Sequence, residues 1–406
     1  MNTTRTTEQI SVPLPKHWLN RTVLGIGLAS LFSDWSHEVA TAVLSAFLAT
    51  MGAAAVWLGL IEGISDGLSS FAKMGSGFYT DQLRRRKPIA VLGYLVTAVG
   101  TASIGFATQA WHVLLMRAVA WLGRGVRTPV RKALLAASVT PESYGRAFGF
   151  ERMMDTLGAV VGPVTAGALL IVFHHHYQSV FLITLIPGCA AAAVIALLVR
   201  ETQRAPVPHI SFGDRLAALP VRFRRFLLAV GIFGAGDFAH TMLILLAAQT
   251  LMTQYGAARA ATLAISLYVL HNILYAGFAF IAGWLADRYD KRILLAGGYV
   301  LAAFMGLLLV FAPMNLPILA LIFVLAGVYV ATEEALEDSF AAELVEKEHH
   351  GMGFGVLATV NGVGDLMSSV VVGVLWSAAG PRIAFAYSTV LFTIGAALVW
   401  RLNRTS

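Results

Sequence analysis

The chain of 406 residues holds a single cysteine, Cys189, so it contains neither a disulfide framework nor a cysteine metal site. Charge is nearly as scarce: Asp, Glu, Lys and Arg make up 13% of the residues, against about 25% in soluble domains. A soluble protein of this length needs a polar skin that so few charges cannot supply, which excludes a water-dissolved globule. A phosphate loop ending in Lys-Ser/Thr is missing too, and with it any support for ATP-driven transport. No nucleophile stands paired with a base, so nothing points to an enzyme. The net charge of +7 does not mark a nucleic-acid binder, because the basic residues lie between apolar runs and not along one face. Residues 1–18 are polar and no small-residue cleavage site follows a short apolar run, so no cleavable signal is expected.

What the chain has in excess is apolar length. Hydrophobic residues make up 57% of it, and a bilayer crossing needs about 20 of them in a row. Such segments fall near 20–49, 55–80, 89–108, 111–133, 147–173, 179–199, 226–250, 260–283, 293–312, 316–340, 354–378 and 383–401. The expectation is an all-α integral membrane protein of about twelve transmembrane helices, its solvent the lipid bilayer. Alternate connections carry Arg84–Lys87, then Arg131, Lys132 and Arg146, then Arg200 through Arg225, then Arg288, Lys291 and Arg292. The positive-inside rule makes these connections, and both termini, cytoplasmic. The longest connection, 200–225, separates residues 1–199 from 226–406. Within it, Ile210–Leu219 fits either a short helix on the membrane surface or a plain tether.

The two parts are repeats. Gly77-Phe-Tyr-Thr-Asp81 recurs as Gly283-Trp-Leu-Ala-Asp287, a shift of 206 residues, and Gly145-Arg-Ala-Phe-Gly149 recurs as Gly351-Met-Gly-Phe-Gly355 at the same shift. Asp34-Trp-Ser-His37 recurs as Asp237-Phe-Ala-His240. Paired halves of this kind are typical of carriers that rock about a central site.

Gly77–Lys87 resembles the signature loop of the major facilitator superfamily: a glycine, an Asp four residues on, then a basic cluster. The second copy, Gly283 to Arg292, matches better because Arg288 follows its aspartate, whereas Gln82 follows Asp81. Gly158, Gly162, Pro163 and Gly167 in the fifth segment resemble the motif that antiporters of the family carry there. The resemblance implies two pseudo-symmetric six-helix bundles in a bacterial-type inner membrane. It also implies a monomeric secondary transporter of a small solute, leaning towards proton-coupled export. An importer or uniporter of an organic anion or siderophore-like solute, and a transport-fold sensor, are the rival readings. The signature loops, with Asp81, Arg85, Asp287 and Arg288, are expected to bind neighbouring helix ends and set the resting conformation.

Ionisable residues inside spans are candidates for coupling or substrate contact. Asp34 lies roughly 20 Å from the cytoplasmic end of its helix, and Glu38 shares its face. Those two carboxylates, with His37, are the expected proton-coupling group, and Asp237 and His240 occupy the repeated place. Glu62 and Asp66 share a face of the second segment, with Asn272 at the position equivalent to Asp66. Asp155 belongs to a local Glu151, Arg152, Asp155 group, and Arg117 has no assigned role. The fourth segment is basic (Arg124, Arg127, Arg131, Lys132) where the tenth is acidic (Glu333, Glu334, Glu337, Asp338). The two segments approach one another in the superfamily when the inner side is closed. The expectation is therefore a latch from one of those three arginines to one of those four acids, with anion binding by Arg124 and Arg127 as the competing reading. His174-His175-His176 is expected to be a solvated turn on the outer side, and neither a cofactor nor a metal is expected.

Overall fold

In the computed structural model, residues 17–52, 55–201 and 211–402 are described, and they are helical almost throughout. Fifteen α-helices lie among these described residues: α1 (Arg21–Thr50), α2 (Ala55–Asp81), α3 (Lys87–Ser103), α4 (Ala110–Ala137), α5 (Tyr144–Val172), α6 (Tyr177–Ile183), α7 (Leu185–Leu198), α8 (Phe212–Ala217), α9 (Val221–Gly234), α10 (Thr241–Tyr255), α11 (Ala257–Ala286), α12 (Lys291–Phe311), α13 (Leu316–Leu344), α14 (His350–Ala379) and α15 (Pro381–Trp400). Local chemistry sets the ends. Asn20 accepts the Thr22 and Val23 amides at 2.8 and 3.1 Å to start α1, and Asn315 accepts the Ile318 amide at 3.0 Å to start α13. Pro88 and Pro381 occupy the first turns of α3 and α15, where a missing N–H costs nothing.

Among the described residues, eight helical stretches are long and apolar enough to cross a membrane. The remaining crossings are α1, α2 and α4, which carry ionisable residues mid-length, and a seventh span that is broken. The architecture is the all-α membrane fold expected, with two departures inside it. The seventh span divides into α9 and α10 around Ala235–His240. Gly231, Gly234 and Gly236 weaken the helix there, and side chains take over the freed backbone. Tyr387 donates to the Ala235 carbonyl at 3.0 Å and Ser368 to the Asp237 carbonyl at 2.6 Å. Irregular backbone at membrane depth persists only where protein or a water-filled cavity satisfies it in this way. The sixth span also has a joint, at Thr184 between α6 and α7.

Packing follows the repeat. In the first part α1 packs on α5 and α7, α2 on α4, and α3 on α4 and α7. In the second, α11 packs on α13, α12 on α13 and α15, and α9 on α14 and α15. The two parts meet through α2 with α14, α5 with α11 and α13, and α4 with α14. Between them α8 docks on the end of α2. Phe212 sits edge-on to Phe78 at 5.3 Å, and the buried Arg215 lies 5.5 Å over the same ring. That short helix is therefore held on protein. Residues 202–210 of the connection, Arg204 and Ile210 among them, lie outside the described residues.

Candidate functional site

At the basic end of the molecule the repeated motifs grip one another's copies. Gly77 of α2 lies against the backbone of Gly351 of α14, and Gly145 of α5 against that of Gly283 of α11. No side chain fits at these contacts, so the helices approach backbone to backbone. Asp81 accepts the Gly351 and Met352 amides at 2.9 and 2.7 Å, capping the first turn of α14. Asp287 does the same for α5, accepting the Gly145 and Arg146 amides at 2.7 and 3.1 Å. Orphan amides and the positive end of the helix dipole favour a carboxylate at both places. The cations are not the expected ones. Asp81 is paired with buried Arg86, while Arg85 is exposed. Asp287 is paired with Arg146 at 2.6 Å, while Arg288 lies over the Trp284 ring at 3.5 Å.

The fourth-span arginines stay within their own part of the chain. Arg124 reaches Asp34 at 3.1 Å, Arg127 reaches Ser33 at 2.6 Å, and Arg131 reaches Ser30 at 2.5 Å and Glu151 at 2.9 Å. Arg127 also stacks 4.0 Å over Tyr94. These contacts form a ladder down the seam of α1, α4 and α5. The expectation that Arg124, Arg127 or Arg131 pairs with the acids of the tenth span is corrected: α1 and α5 offer nearer partners to all three. Nearer the opposite end, Arg117 reaches Glu62 at 3.1 Å and stacks 3.9 Å over Trp121. Trp121 in turn donates to Asp66 at 2.6 Å, with His37 packed on it at 4.5 Å. Glu38 lies 3.7 Å from His37 and has no Lys or Arg partner among the described residues.

Three ion pairs cross between the parts: Arg146–Asp287 at the α5 cap, and two in which the tenth-span acids Asp338 and Glu334 take Lys132 and Arg152 in place of the three arginines. Lys132 reaches Asp338 at 2.6 Å, and Arg152 reaches Glu334 at 2.7 Å, where Tyr275 also donates. Lys132 and Asp338 stand 206 residues apart, the shift of the repeat. Equivalent positions of two repeats meet only near the axis that relates them, which was the signal available in the sequence. Arg152 is tied through Asp155, at 3.1 Å, to Arg131 at 3.6 Å, so the ladder ends at this crossing.

The second part buries its carboxylates differently. Asp237, at the break, accepts from Tyr329 at 2.9 Å. Glu337 accepts from Tyr299 and from Asn361, the latter at 2.8 Å. Glu333 is buried, with no hydrogen-bond or ion-pair partner among the described residues. His240 and His271 pack ring to ring at 4.7 Å, with Tyr268 stacked on His271 at 5.7 Å and Asn272 beside them on α11. Among the described residues no three His, Cys, Asp or Glu converge to hold a metal ion.

Of the fifth-span motif, Gly158 and Gly162 are the working part. Gly158 faces the Leu31 carbonyl and Asp34, Gly162 abuts Glu38, and α1 and α5 close on them. Pro163 is exposed within an unbroken α5, and Gly167 has open space where a side chain would sit. His174 and His175 adopt left-handed backbone in the turn after α5.

Towards the opposite end the paired helices part. Ser70 of α2 packs against Gly362 of α14. One turn further on, Asp66 and Asp365 are both exposed, within electrostatic reach of each other and of Lys73 and Glu334. The molecule is thus closed at its basic end and open between α2 and α14 beyond it.

A two-part helical bundle locked at one end defines a transport protein. The sequence pattern of the Major Facilitator Superfamily matches residues 17–244 and 226–406, and the chain belongs to that family. It is a membrane transporter, not an enzyme. It is 26% identical over 381 residues to the uncharacterized MFS-type transporter MJ1317 of Methanocaldococcus jannaschii, covering 94% of each chain. Over a shorter stretch of 117 residues, 28% of this chain and 29% of the other, it is 34% identical to the multidrug resistance protein MdtH of Citrobacter koseri. Its fold matches that of the Escherichia coli fucose:proton symporter FucP with a TM-score of 0.75 at 16% identity, covering 95% of this chain and all of that one.

Proposed function

We propose that this chain is a proton-coupled secondary transporter that exports a small solute, residues 1–199 rocking against 226–406. The observation that carries the reading is the one-sided lock. The Asp81 and Asp287 caps and the Lys132–Asp338 and Arg152–Glu334 pairs all lie towards the basic end. Taking that end as cytoplasmic by the positive-inside rule makes this the outward-open state. A carrier needs such locks to be breakable, and a few polar contacts across a small-residue seam meet that requirement. Export is supported by the stretch shared with a protein named for multidrug resistance. Proton coupling is supported by carboxylates at membrane depth and by the shared fold of a named proton symporter.

The test uses everted bacterial vesicles containing the chain, acidified inside, and a panel of amphipathic cations, organic anions and sugars. Export predicts accumulation of at least one compound that a protonophore abolishes. Accumulation that ignores the protonophore removes proton coupling, and binding without flux makes the chain a sensor.

A further inference from the structure

Between residues 226 and 400, Lys and Arg occur only at 259, 288, 291, 292, 347 and 382, each within about a turn of a helix end. Several acids of the same stretch lie inside spans instead. Asp237 lies at the break of the seventh span, Glu333 and Glu337 inside α13, and Asp365 inside α14. Three of these form one cluster. Glu333 lies within electrostatic reach of Asp237, Glu337, Glu334 and Asp365. Tyr329 and Tyr299, on α13 and α12, each lie within reach of both Glu333 and Asp237.

Glu333 is the informative member. It is 8% exposed, yet among the described residues it has neither a hydrogen-bond partner nor a cation. The guanidinium of Arg152 on α5 is committed to the neighbouring Glu334, which also takes the Tyr275 hydroxyl from α11. The exposure that remains includes its carboxylate oxygens, so a proton can reach them, and a charge at this depth with no cation beside it is costly. Carboxylates facing each other without a cation between them can share a proton or bind a metal ion. The donors decide between these. Tyr329, Tyr299 and Asn361 all aim O–H or N–H groups at the cluster's carboxylates. Those bonds occupy the lone pairs that a metal ion would need, whereas a proton uses one lone pair only.

We propose that Asp237, Glu333 and Glu337 form a proton-holding site of this carrier, in the second part of the chain. This rests on the proton-coupled reading above. In the outward-open state hydronium in the cleft gives up its proton past exposed Asp365, forming one O–H bond on a carboxylate of the cluster and leaving water behind. On the other side of the cycle that O–H bond breaks and the proton passes to cytoplasmic water. Glu337 lies within electrostatic reach of Asp338 and Lys132, so a change of charge in the cluster is felt at the lock on the repeat axis. Asp34 differs from these three in having a guanidinium partner, Arg124.

Infrared difference spectroscopy on the purified full-length protein reads the proton directly, without any solute. The wild type is expected to show the C=O stretch of a protonated carboxylic acid at neutral pH, lost in E333Q or D237N and retained in D34N. E333D, which keeps the acid, is expected to retain a shifted band, separating loss of a proton site from loss of fold. Sodium should leave the band unchanged. A band that persists in both E333Q and D237N, or that sodium erases, overturns the assignment. Proteoliposome flux under a pH gradient is measured on the same preparation. The band as expected with pH-independent flux leaves the site standing and removes the coupling reading. pH-driven flux with the band unmoved by E333Q and D237N removes the site alone.

Discussion

Asp34 and Asp237 occupy the same place in the two repeats, yet the protein accommodates them by different means. Asp34 sits in an unbroken α1 and is met by the guanidinium of Arg124. Asp237 sits where α9 gives way to α10 and is met by the hydroxyl of Tyr329. The contrast extends through each part. On the first side Glu62 has Arg117, and Glu151 and Asp155 have Arg131. On the second side Asp237 and Glu337 take hydroxyl and amide donors instead. A carboxylate held by a guanidinium is fixed in charge, because arginine does not give up its proton. One held by hydroxyl donors is free to take up or release a proton. We read the guanidinium ladder of the first part as a scaffold and the donor-held carboxylates of the second as groups whose charge can change, with Glu38 and Asp66 standing outside the ladder.

The sharpest way to break that comparison is to remove charge from the scaffold. Arg131 is buried against Glu151, which is 1% exposed. R131M strands Glu151, while Asp155 keeps Arg152 at 3.1 Å, and is expected to cost about 3–5 kcal/mol, enough to abolish recovery of folded protein. Adding E151Q should restore much of the yield. Melting in detergent, followed by size-exclusion chromatography, checks both. If R131M melts like the wild type, the ladder is not structural.

Next in size are the crossing pairs. D338N or E334Q removes a charge-assisted contact of about 1.5–3 kcal/mol, roughly a tenfold or larger shift between two balanced states. A cysteine placed at Ser70, on the α2–α14 seam, in a background lacking Cys189, should become more accessible from the basic end. Exchanging the partners, K132D with D338K, should recover part of the closed state. R127E, by contrast, should impair folding, and no acid swap in α13 should rescue it, because its bonds run to Ser33 and Tyr94.

Packing on the scaffold side gives a smaller effect. A Cβ at Gly162 would collide with Glu38, and one at Gly167 would meet open space. G162A is therefore expected to cost about 1–3 kcal/mol from overpacking, and G167A close to nothing. Equal melting temperatures for the two variants would mean that α1 and α5 part easily at this point.

Much of this was legible in the sequence. The spans, the repeat at 206 residues and the aspartates of the signature loops all showed there, because apolar length and motif spacing are one-dimensional signals. The partners of the charges were not. Arg85 and Arg86 are neighbours in a basic run, and only the turn after α2 decides which one is buried on Asp81. The same holds for Arg131 and Lys132: adjacent residues on a helix point about 100° apart, so one faces α5 and the other Asp338. The break at Asp237 was masked by an apolar run that reads as continuous, although three glycines within it marked a weak helix.

The smallest expected effect separates the two signature aspartates. Both cap a helix of the other part, a contribution of about 0.3–1 kcal/mol for an exposed carboxylate. Their surroundings differ. Asp81 is sealed with Arg86, the pair 0% and 1% exposed at the side chains, whereas Arg146 beside Asp287 is 31% exposed. Removing Asp81 takes the carboxylate from a buried cation, which keeps its bond to the Thr80 carbonyl, as well as from two amides. Removing Asp287 leaves Arg146 free to turn into water. D81A should therefore open the basic end several-fold more than D287A, as read by thiol labelling at Ser70 exchanged for cysteine and by initial transport rate. Both variants should fold, because the caps act between the two parts and not within either core. Equal labelling in the two would show that the amide caps carry the closure and that the buried Arg86 adds nothing to it.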